Sequence, residues 1–440
     1  MPRRRPLPTT PGQAQIQSLA PDGRGVALVE GKTAFISGAL PGETVLFRYL
    51  ALQKQIIEGV TVEVIVSAPE RIKPRCQHFG VCGGCNLQHL SSEHQIAFKQ
   101  KVLLEQLSHI GKVQPQRVVP PLQGHAWGYR RKARLSVRFS TKKQSVIIGF
   151  REQQSNAIVE LQQCEVLHPT VIQYFSELQT VINQLEIRHK IAQIEVAVGD
   201  NATAIIIRHL LPVSETDRQK LRDFAQHTGF YLYLQSAGLN TIHPLAPEEL
   251  ILTSLRYRLP NENMDIHFAP HDFTQVNHEI NQQMVSQALA WLDPQPSERI
   301  LDLFCGLGNF TLPLARRAAQ VVAIDSATDL LARAEANAHR QNIYNISYYT
   351  ANLEDKRLPL PAQHFDKILL DPPRSGAWEV IQKLSFTNTR RIVYVSCNPA
   401  TLARDAEDLV YRKGYRLVQV GIMDMFPHTA HVESMALFER

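Results

Sequence analysis

Cys397 stands in Ser396-Cys397-Asn398-Pro399, and Asp371 in Asp371-Pro372-Pro373-Arg374; each tetrapeptide follows a short apolar run. A thiolate is a strong nucleophile, and a carboxylate on a loop stiffened by two prolines is a fixed hydrogen-bond acceptor. The pair predicts a nucleophile facing a planar heterocycle. C5 of a pyrimidine is itself a poor nucleophile. A thiolate adding to C6 makes C5 electron-rich enough to attack a sulfonium methyl group; a base must then take the C5 proton, and the thiolate must leave. Cys397 fits the nucleophile, and Glu433, in His431-Val432-Glu433-Ser434 just before the apolar run Met435–Phe438, fits the base. Cys305 is a rival thiol, but its place inside a glycine-rich turn reads as structural.

Such groups need a scaffold that brings them to one edge. Arg299–Phe304 reads as a buried strand, Cys305-Gly306-Leu307-Gly308-Asn309 as a turn, and Phe310 as the start of a helix. Glycines there let the backbone approach a ligand at the carboxyl end of the strand. A second strand, Gln320–Ile324, ends in Asp325, an acid placed to accept from ribose hydroxyls. The third glycine of a dinucleotide fingerprint is absent, so adenosyl-methionine fits better than NAD. Asn352, after the strand-like run Ile346–Thr350, is a candidate for the adenine. Asp371 follows Lys367–Leu370 and Cys397 follows Arg391–Val395, so both are expected at the ligand-binding end of one parallel α/β sheet.

The front of the chain differs in charge. Residues 1–150 carry 21 Lys and Arg against 8 Asp and Glu, whereas the chain as a whole is only +6. That asymmetry fits a module gripping nucleic acid tethered to a catalytic one. Within it, Gly25–Val29, Lys32–Ile36 and Val60–Val66 are strand-like and punctuated by turns, suggesting a small OB-like barrel. Residues 91–112 read as a helix, and Tyr129–Arg138 interleaves aromatics and cations as an RNA-gripping stretch would. Cys76, Cys82 and Cys85 are spaced C-x5-C-x2-C, with Cys164 standing far downstream. Three clustered thiols and one distant partner suit an iron–sulfur cluster; zinc, with His78 or His89 completing the site, is the alternative. No apolar run is long enough to span a bilayer. The Pro- and Arg-rich segment Met1–Gly12 lacks the apolar stretch of a signal peptide and is expected to be a disordered tail. A cytoplasmic monomer is expected.

The chain resembles the RNA m5U methyltransferase family over nearly its whole length. The resemblance is carried by Cys82-Gly83-Gly84-Cys85-Asn86-Leu87-Gln88-His89, Phe273-Thr274-Gln275-Val276-Asn277, Asp302–Phe310, Asp371–Arg374 and Ser396–Pro399. It implies a multidomain α/β protein. Residues 9–67 would form a TRAM OB-like RNA-binding barrel, 68–265 a central α+β iron–sulfur domain, and 266–440 a class I, Rossmann-like SAM-dependent methyltransferase domain. It implies S-adenosyl-L-methionine contacts from Gln275, Phe304, Asn309, Asp325, Asn352 and Asp371, and a [4Fe–4S] cluster on Cys76, Cys82, Cys85 and Cys164. It maps the nucleophile to Cys397 and the base to Glu433. A barrel together with a cysteine cluster is similar to the branch acting on 23S rRNA, with a uridine flipped into the site; a dual-site rRNA or a tRNA enzyme of the same family is the alternative. Asp325 departs from relatives that often carry glutamate there. An electron-transfer protein and a non-catalytic RNA-binding factor are the competing classes.

Overall fold

A computed structural model describes residues 7–247, 255–355, 364–384 and 388–440 of the chain. Met1–Pro6, half of the expected tail, lie outside the described residues. The chain divides into two compact units. One comprises Met1–Lys99, Arg151–Val159 and Phe426–His431; the other comprises Gln100–Phe150, Glu160–Met425 and Val432–Arg440.

The first unit is built on a six-stranded sheet running from Gly12–Gln15 to Ile56–Val66, antiparallel except where Lys32–Ser37 runs parallel to Ile56–Val66. Alternating burial along Gly25–Val29 sends alternate side chains to one apolar core that includes Ile16, Ile36, Val45, Phe47 and Ile57. Beyond this sheet lie the cysteine segment and the start of helix Ser92–His109.

The second unit holds two large sheets. In one, six strands take the order His243–Ala246, Tyr231–Gln235, Thr203–His209, Ile191–Val198, Lys132–Ser140, Ser145–Gly149. The other has eight strands. In chain order these are β1 (Arg117–Val118), β2 (Arg299–Leu303), β3 (Gln320–Asp325), β4 (Ile346–Thr350), β5 (Lys367–Leu370), β6 (Arg391–Ser396), β7 (Arg416–Met423) and β8 (Glu433–Glu439). Their spatial order is β4-β3-β2-β5-β6-β8-β7-β1. Strands β2 to β6 are parallel, and β8 inserts antiparallel between β6 and β7. The central strands β2, β5 and β6 are buried almost throughout, as a parallel sheet covered on both faces requires. The chain reverses its strand order at β2 and β5, which opens a crevice at their carboxyl ends.

Candidate active site

The register of the eight-stranded sheet brings Cys397 and Glu433, the expected nucleophile and base, to the same end. Ser396 of β6 pairs with Ser434 of β8, so Cys397 and Glu433 lie at the same end of the sheet, each one residue beyond that pair. Asp371 arrives by a parallel route: Leu370 of β5 pairs with Leu303 of β2, placing Asp371 beside Phe304. Glu433 and Asp371 both lie close enough to the Cys397 thiol to act on its charge, as does Arg374. Burial, then the Glu433 and Asp371 carboxylates, push that thiol up to about 11, against a smaller opposing pull from Arg374.

Short polar contacts hold these loops. Asn398 caps helix Pro399–Tyr411 through Oδ1, which accepts from Ala400 N at 3.1 Å, while its Nδ2 donates to Arg374 O at 2.9 Å. One side chain thus ties the Cys397 turn to the Asp-Pro-Pro-Arg loop. The same helix braces the loop further on: Ala377 N donates to Asp405 Oδ2 at 2.7 Å, and Arg404 Nη2 donates to Ser375 O at 2.9 Å. Gly376 is required there. Its φ is +81°, and a Cβ would come within 2.7 Å of Asp405 Oδ2.

The glycine-rich turn follows β2. Phe304 adopts φ +64°, an uncommon conformation for an aromatic residue that tertiary contacts must maintain. Asp325, at the end of β3, accepts from Gly306 N at 3.0 Å through Oδ2 and from Ala327 N at 2.9 Å through Oδ1. It therefore shapes the turn, and each oxygen keeps a lone pair for another donor. Asn309 is turned inward: it exchanges hydrogen bonds with the Asn281 amide at 2.8 and 3.1 Å and accepts from Tyr257 Oη at 2.9 Å. Asn352 is exposed and accepts from Glu354 N at 3.0 Å. Gln275 is half-buried on a loop that is firmly pinned. Arg131 N donates to Val276 O at 2.9 Å, Lys132 Nζ donates to Pro270 O at 2.8 Å and to Asp272 O, and Arg333 Nη2 donates to Asp272 Oδ1 at 2.6 Å.

Sequence reasoning passed over the acid that completes the crevice. Asp302, in β2, is fully buried; one oxygen accepts from Thr311 Oγ1 at 2.5 Å and the other has no hydrogen-bond partner. Burial lifts its carboxyl to about 7, helped by the charges of Asp371 and Asp325. Burial also lifts Asp371 to about 7. An aspartate inside an otherwise apolar strand was the available signal. The inward roles of Asn281 and Tyr257 had no signal, because their partner is fixed only by tertiary packing.

The cationic stretch at Tyr129–Arg138 is less available than the sequence suggests. Lys132 is spent on backbone carbonyls and Arg131 pairs with Asp200. Strand alternation leaves Arg134 and Arg138 on the exposed side, with Arg134 Nε 2.9 Å from Glu195. In the cysteine segment, Cys82 is buried and its Sγ accepts from Gly84 N at 3.4 Å, while Cys76 N donates to Gln88 Oε1 at 3.0 Å. Cys164 is buried in the other unit. Among the described residues no group of three or more His, Cys, Asp or Glu side chains is arranged to hold a metal ion.

Comparison with known proteins yields a consistent set. A family model described as tRNA (uracil-5-)-methyltransferase matches residues 91–440. A 23S rRNA (uracil(1939)-C(5))-methyltransferase RlmD of Alkalilimnicola ehrlichii is 49% identical over 440 residues, covering 100% of this chain and 98% of the relative. A protein of the same name from Methylococcus capsulatus is 47% identical over 443 residues, covering 100% and 99%. Among solved structures, the tRNA (uracil-54, C5)-methyltransferase of Pyrococcus abyssi, in complex with S-adenosyl-L-homocysteine, superposes with a TM-score of 0.73 at 23% identity, covering 97% of this chain and 100% of that one.

Proposed function

The chain belongs to the tRNA (uracil-5-)-methyltransferase family, and we propose that it methylates C5 of a uridine in 23S rRNA, at the uracil 1939 named for its relatives. The observation that carries the reading is the β6–β8 register, which sets Cys397 beside Glu433 with Asp371 in charge range. S-adenosyl-L-methionine supplies the methyl group and departs as the homocysteine thioether.

The residues divide the work. Cys397 Sγ, having lost its proton, bonds to C6 and the electron pair moves to C5. C5 takes the methyl group; a Glu433 oxygen then takes the C5 proton, C5=C6 re-forms and the C6–S bond breaks. Asp371 and Arg374 face the same space and are assigned to holding the pyrimidine and its charge. A flipped uridine is part of the reading, because chemistry on a ring carbon requires the base out of its stack.

The crevice fits the cofactor. Asp302 lies within charge range of both Asp325 and Asp371. An anionic crevice suits a ligand bearing a sulfonium and an ammonium group. Gln275, Phe304, Asn309, Asp325, Asn352 and Asp371 are the assigned contacts.

We assign a [4Fe–4S] cluster to Cys76, Cys82, Cys85 and Cys164 on thiol chemistry, spacing and the Gly84 amide directed at Cys82 Sγ. Bound there, it would hold the cysteine segment in shape. The TRAM-like reading of residues 9–67 rests on the all-strand sheet and the basic charge of the front of the chain. No helix among the described residues is long and apolar enough to cross a membrane; a cytoplasmic monomer is the proposed form.

The test is methylation of 23S rRNA by the purified protein with the product mapped by mass spectrometry. One 5-methyluridine is expected at the homologous position, and Cys397→Ala should lower transfer by at least about a thousandfold and abolish the gel-stable adduct with 5-fluorouridine RNA. Methylation confined to tRNA would replace the substrate; full activity of Cys397→Ala would remove the covalent route.

A further inference from the structure

We propose that the cysteine-rich segment positions the catalytic base: Asn86 and Gln95 clamp residues 426–431, and through that loop set the approach of Glu433. The inference rests on the reading of Glu433 as the base.

The loop connects β7 to β8, and the pair nearest to it is Met423 with Glu433. Residues 426–431 form neither helix nor strand, and His428 lies in the left-handed region at φ +67°. Irregular connections of this kind are usually the mobile parts of a fold. Here Phe426–His431 belong to the same compact unit as the cysteine segment, whereas Glu433, two residues on, opens a strand of the other unit.

The clamp acts on main chain. Gln95 Oε1 accepts from His428 N at 2.8 Å. The Gln95 amide cannot rotate away, because its Nε2 donates to Leu87 O at 3.1 Å and to Leu90 O at 2.8 Å. His428 O accepts from Asn86 N at 3.0 Å and Leu87 N at 2.9 Å. Asn86 Oδ1 accepts from Ala430 N at 2.9 Å, and its Nδ2 donates to Asp22 O at 2.9 Å. Lys99, itself fully buried, adds a bond from Nζ to Phe426 O at 2.9 Å. Gln95 is buried too, and a buried amide with both ends satisfied fixes one geometry at high cost to any other. Asn86 directly follows Cys85. The order of the cysteine turn is therefore passed through the Asn86 side chain to Ala430, two positions before Val432 and three before Glu433.

Proton removal from C5 is the last demanding step, and it depends on the position of one carboxylate oxygen. Loosening the loop should slow that step alone, leaving thiol addition and methyl transfer intact. Asn86 and Gln95 are thus positioning residues, and the readout is the species that accumulates.

The experiment uses full-length protein, a 23S rRNA transcript and S-adenosyl-L-methionine, with a parallel reaction on 5-fluorouridine RNA. Glu433→Gln should stall after methyl transfer and accumulate a methylated protein–RNA adduct. Gln95→Ala and Asn86→Ala should lower turnover about 10- to 100-fold and accumulate the same methylated species, yet form the 5-fluorouridine adduct at the parent rate. Asn86→Asp, which keeps the acceptor for Ala430 N, should recover turnover to within about tenfold of the parent. Unchanged turnover in both alanine variants, or slow turnover with no methylated adduct, overturns the clamp and leaves the role of Glu433 standing. Loss of the 5-fluorouridine adduct in both also overturns it, assigning the two residues to folding. Failure of Glu433→Gln to accumulate the adduct overturns the reading of the base, and the clamp with it.

Discussion

Glu43 in the first unit and Asp302 and Asp371 in the second are acids that the protein treats in opposite ways. Burial alone would raise the Glu43 carboxyl. A hydrogen bond from Arg71, the Leu40 N–H, the Arg71 charge and the Ala68 N–H together hold it below its usual range instead. Its two oxygens take Arg71 Nε at 2.5 Å and Nη2 at 2.8 Å, with Leu40 N at 2.8 Å and Ala68 N at 3.3 Å. Asp302 has one hydroxyl partner and an orphan oxygen, and burial carries both it and Asp371 to about 7. A fully paired acid joins the sheet to its flanking chain. An acid with an orphan oxygen at the carboxyl end of parallel strands, as Asp302 is, instead stays high and carries the cost of its burial.

Breaking the paired acid should have the largest effect. Arg71→Ala leaves the Glu43 carboxylate buried without its counter-charge, at a cost of about 3 kcal/mol in unfolding free energy, read by urea denaturation at neutral pH. Glu43 has a depressed folded pKa, so its contribution is present above the ordinary carboxylate value of 4.5 and is lost as pH falls through the folded value. In the variant, unopposed burial reverses that shift. The deficit should therefore shrink as pH is lowered towards 4.5. A deficit independent of pH would mean that packing of the arginine stem, and not the ion pair, holds the segment.

The two acids of the second unit should show the contrary slope. Asp302 and Asp371 have folded values of about 7 against 3.8, so their contribution is complete below about 4 and is lost as pH rises through 7. Ligand-free protein should lose thermal stability across that window relative to Asp371→Asn, which carries only one of the two titrations. Cationic S-adenosyl-L-methionine should bind more tightly as pH rises through 7, while the homocysteine product should gain less. Asp371→Asn should weaken S-adenosyl-L-methionine by about 10- to 100-fold, measured by calorimetry, with little change in the urea midpoint. Equal losses for both ligands would assign Asp371 to a neutral contact.

How much of this was legible follows from the same contrast. Gly25–Val29, Ile346–Thr350 and Lys367–Leu370 match their expected bounds, since alternating or continuous apolar runs between turn residues leave a strand little choice. The helix expected over 91–112 is shorter, Ser92–His109, because Lys112 takes φ +52° just after Gly111. The places of Cys397, Glu433 and Asp371 in the fold were legible because each sits at or next to a strand end, and strand order then fixes which end of the sheet they share. Lys132, within the stretch expected to grip RNA, is engaged inside the protein. Its neighbours in sequence are cationic, but its ammonium turns to the carbonyls of Pro270 and Asp272, some 140 positions away, and burial lowers it to about 8. The inward bond of Asn309 had no signal either: its partner Asn281 lies on a helix face whose pairing no local pattern specifies. Residues engaged at strand ends can be read from sequence; those engaged across the core cannot.

The smallest expected effect concerns the thiol itself. With its ordinary value at 9.0 and its value here about 11, Cys397 is almost wholly protonated at pH 8 in the ligand-free enzyme. Burial is the leading cause and Glu433 the next. Removing the carboxylate charge with Glu433→Gln should lower the thiol and raise the rate of alkylation by iodoacetamide at pH 8 by up to about tenfold, since each pKa unit changes the thiolate fraction by that factor. Asp371→Asn should do the same to a lesser degree, being the weaker of the two carboxylate influences. The variant that reacts faster with a reagent is then the one that turns over more slowly with RNA. That inversion separates a thiol suppressed until its ligands arrive from one that is merely inaccessible, for which neither substitution would alter the alkylation rate.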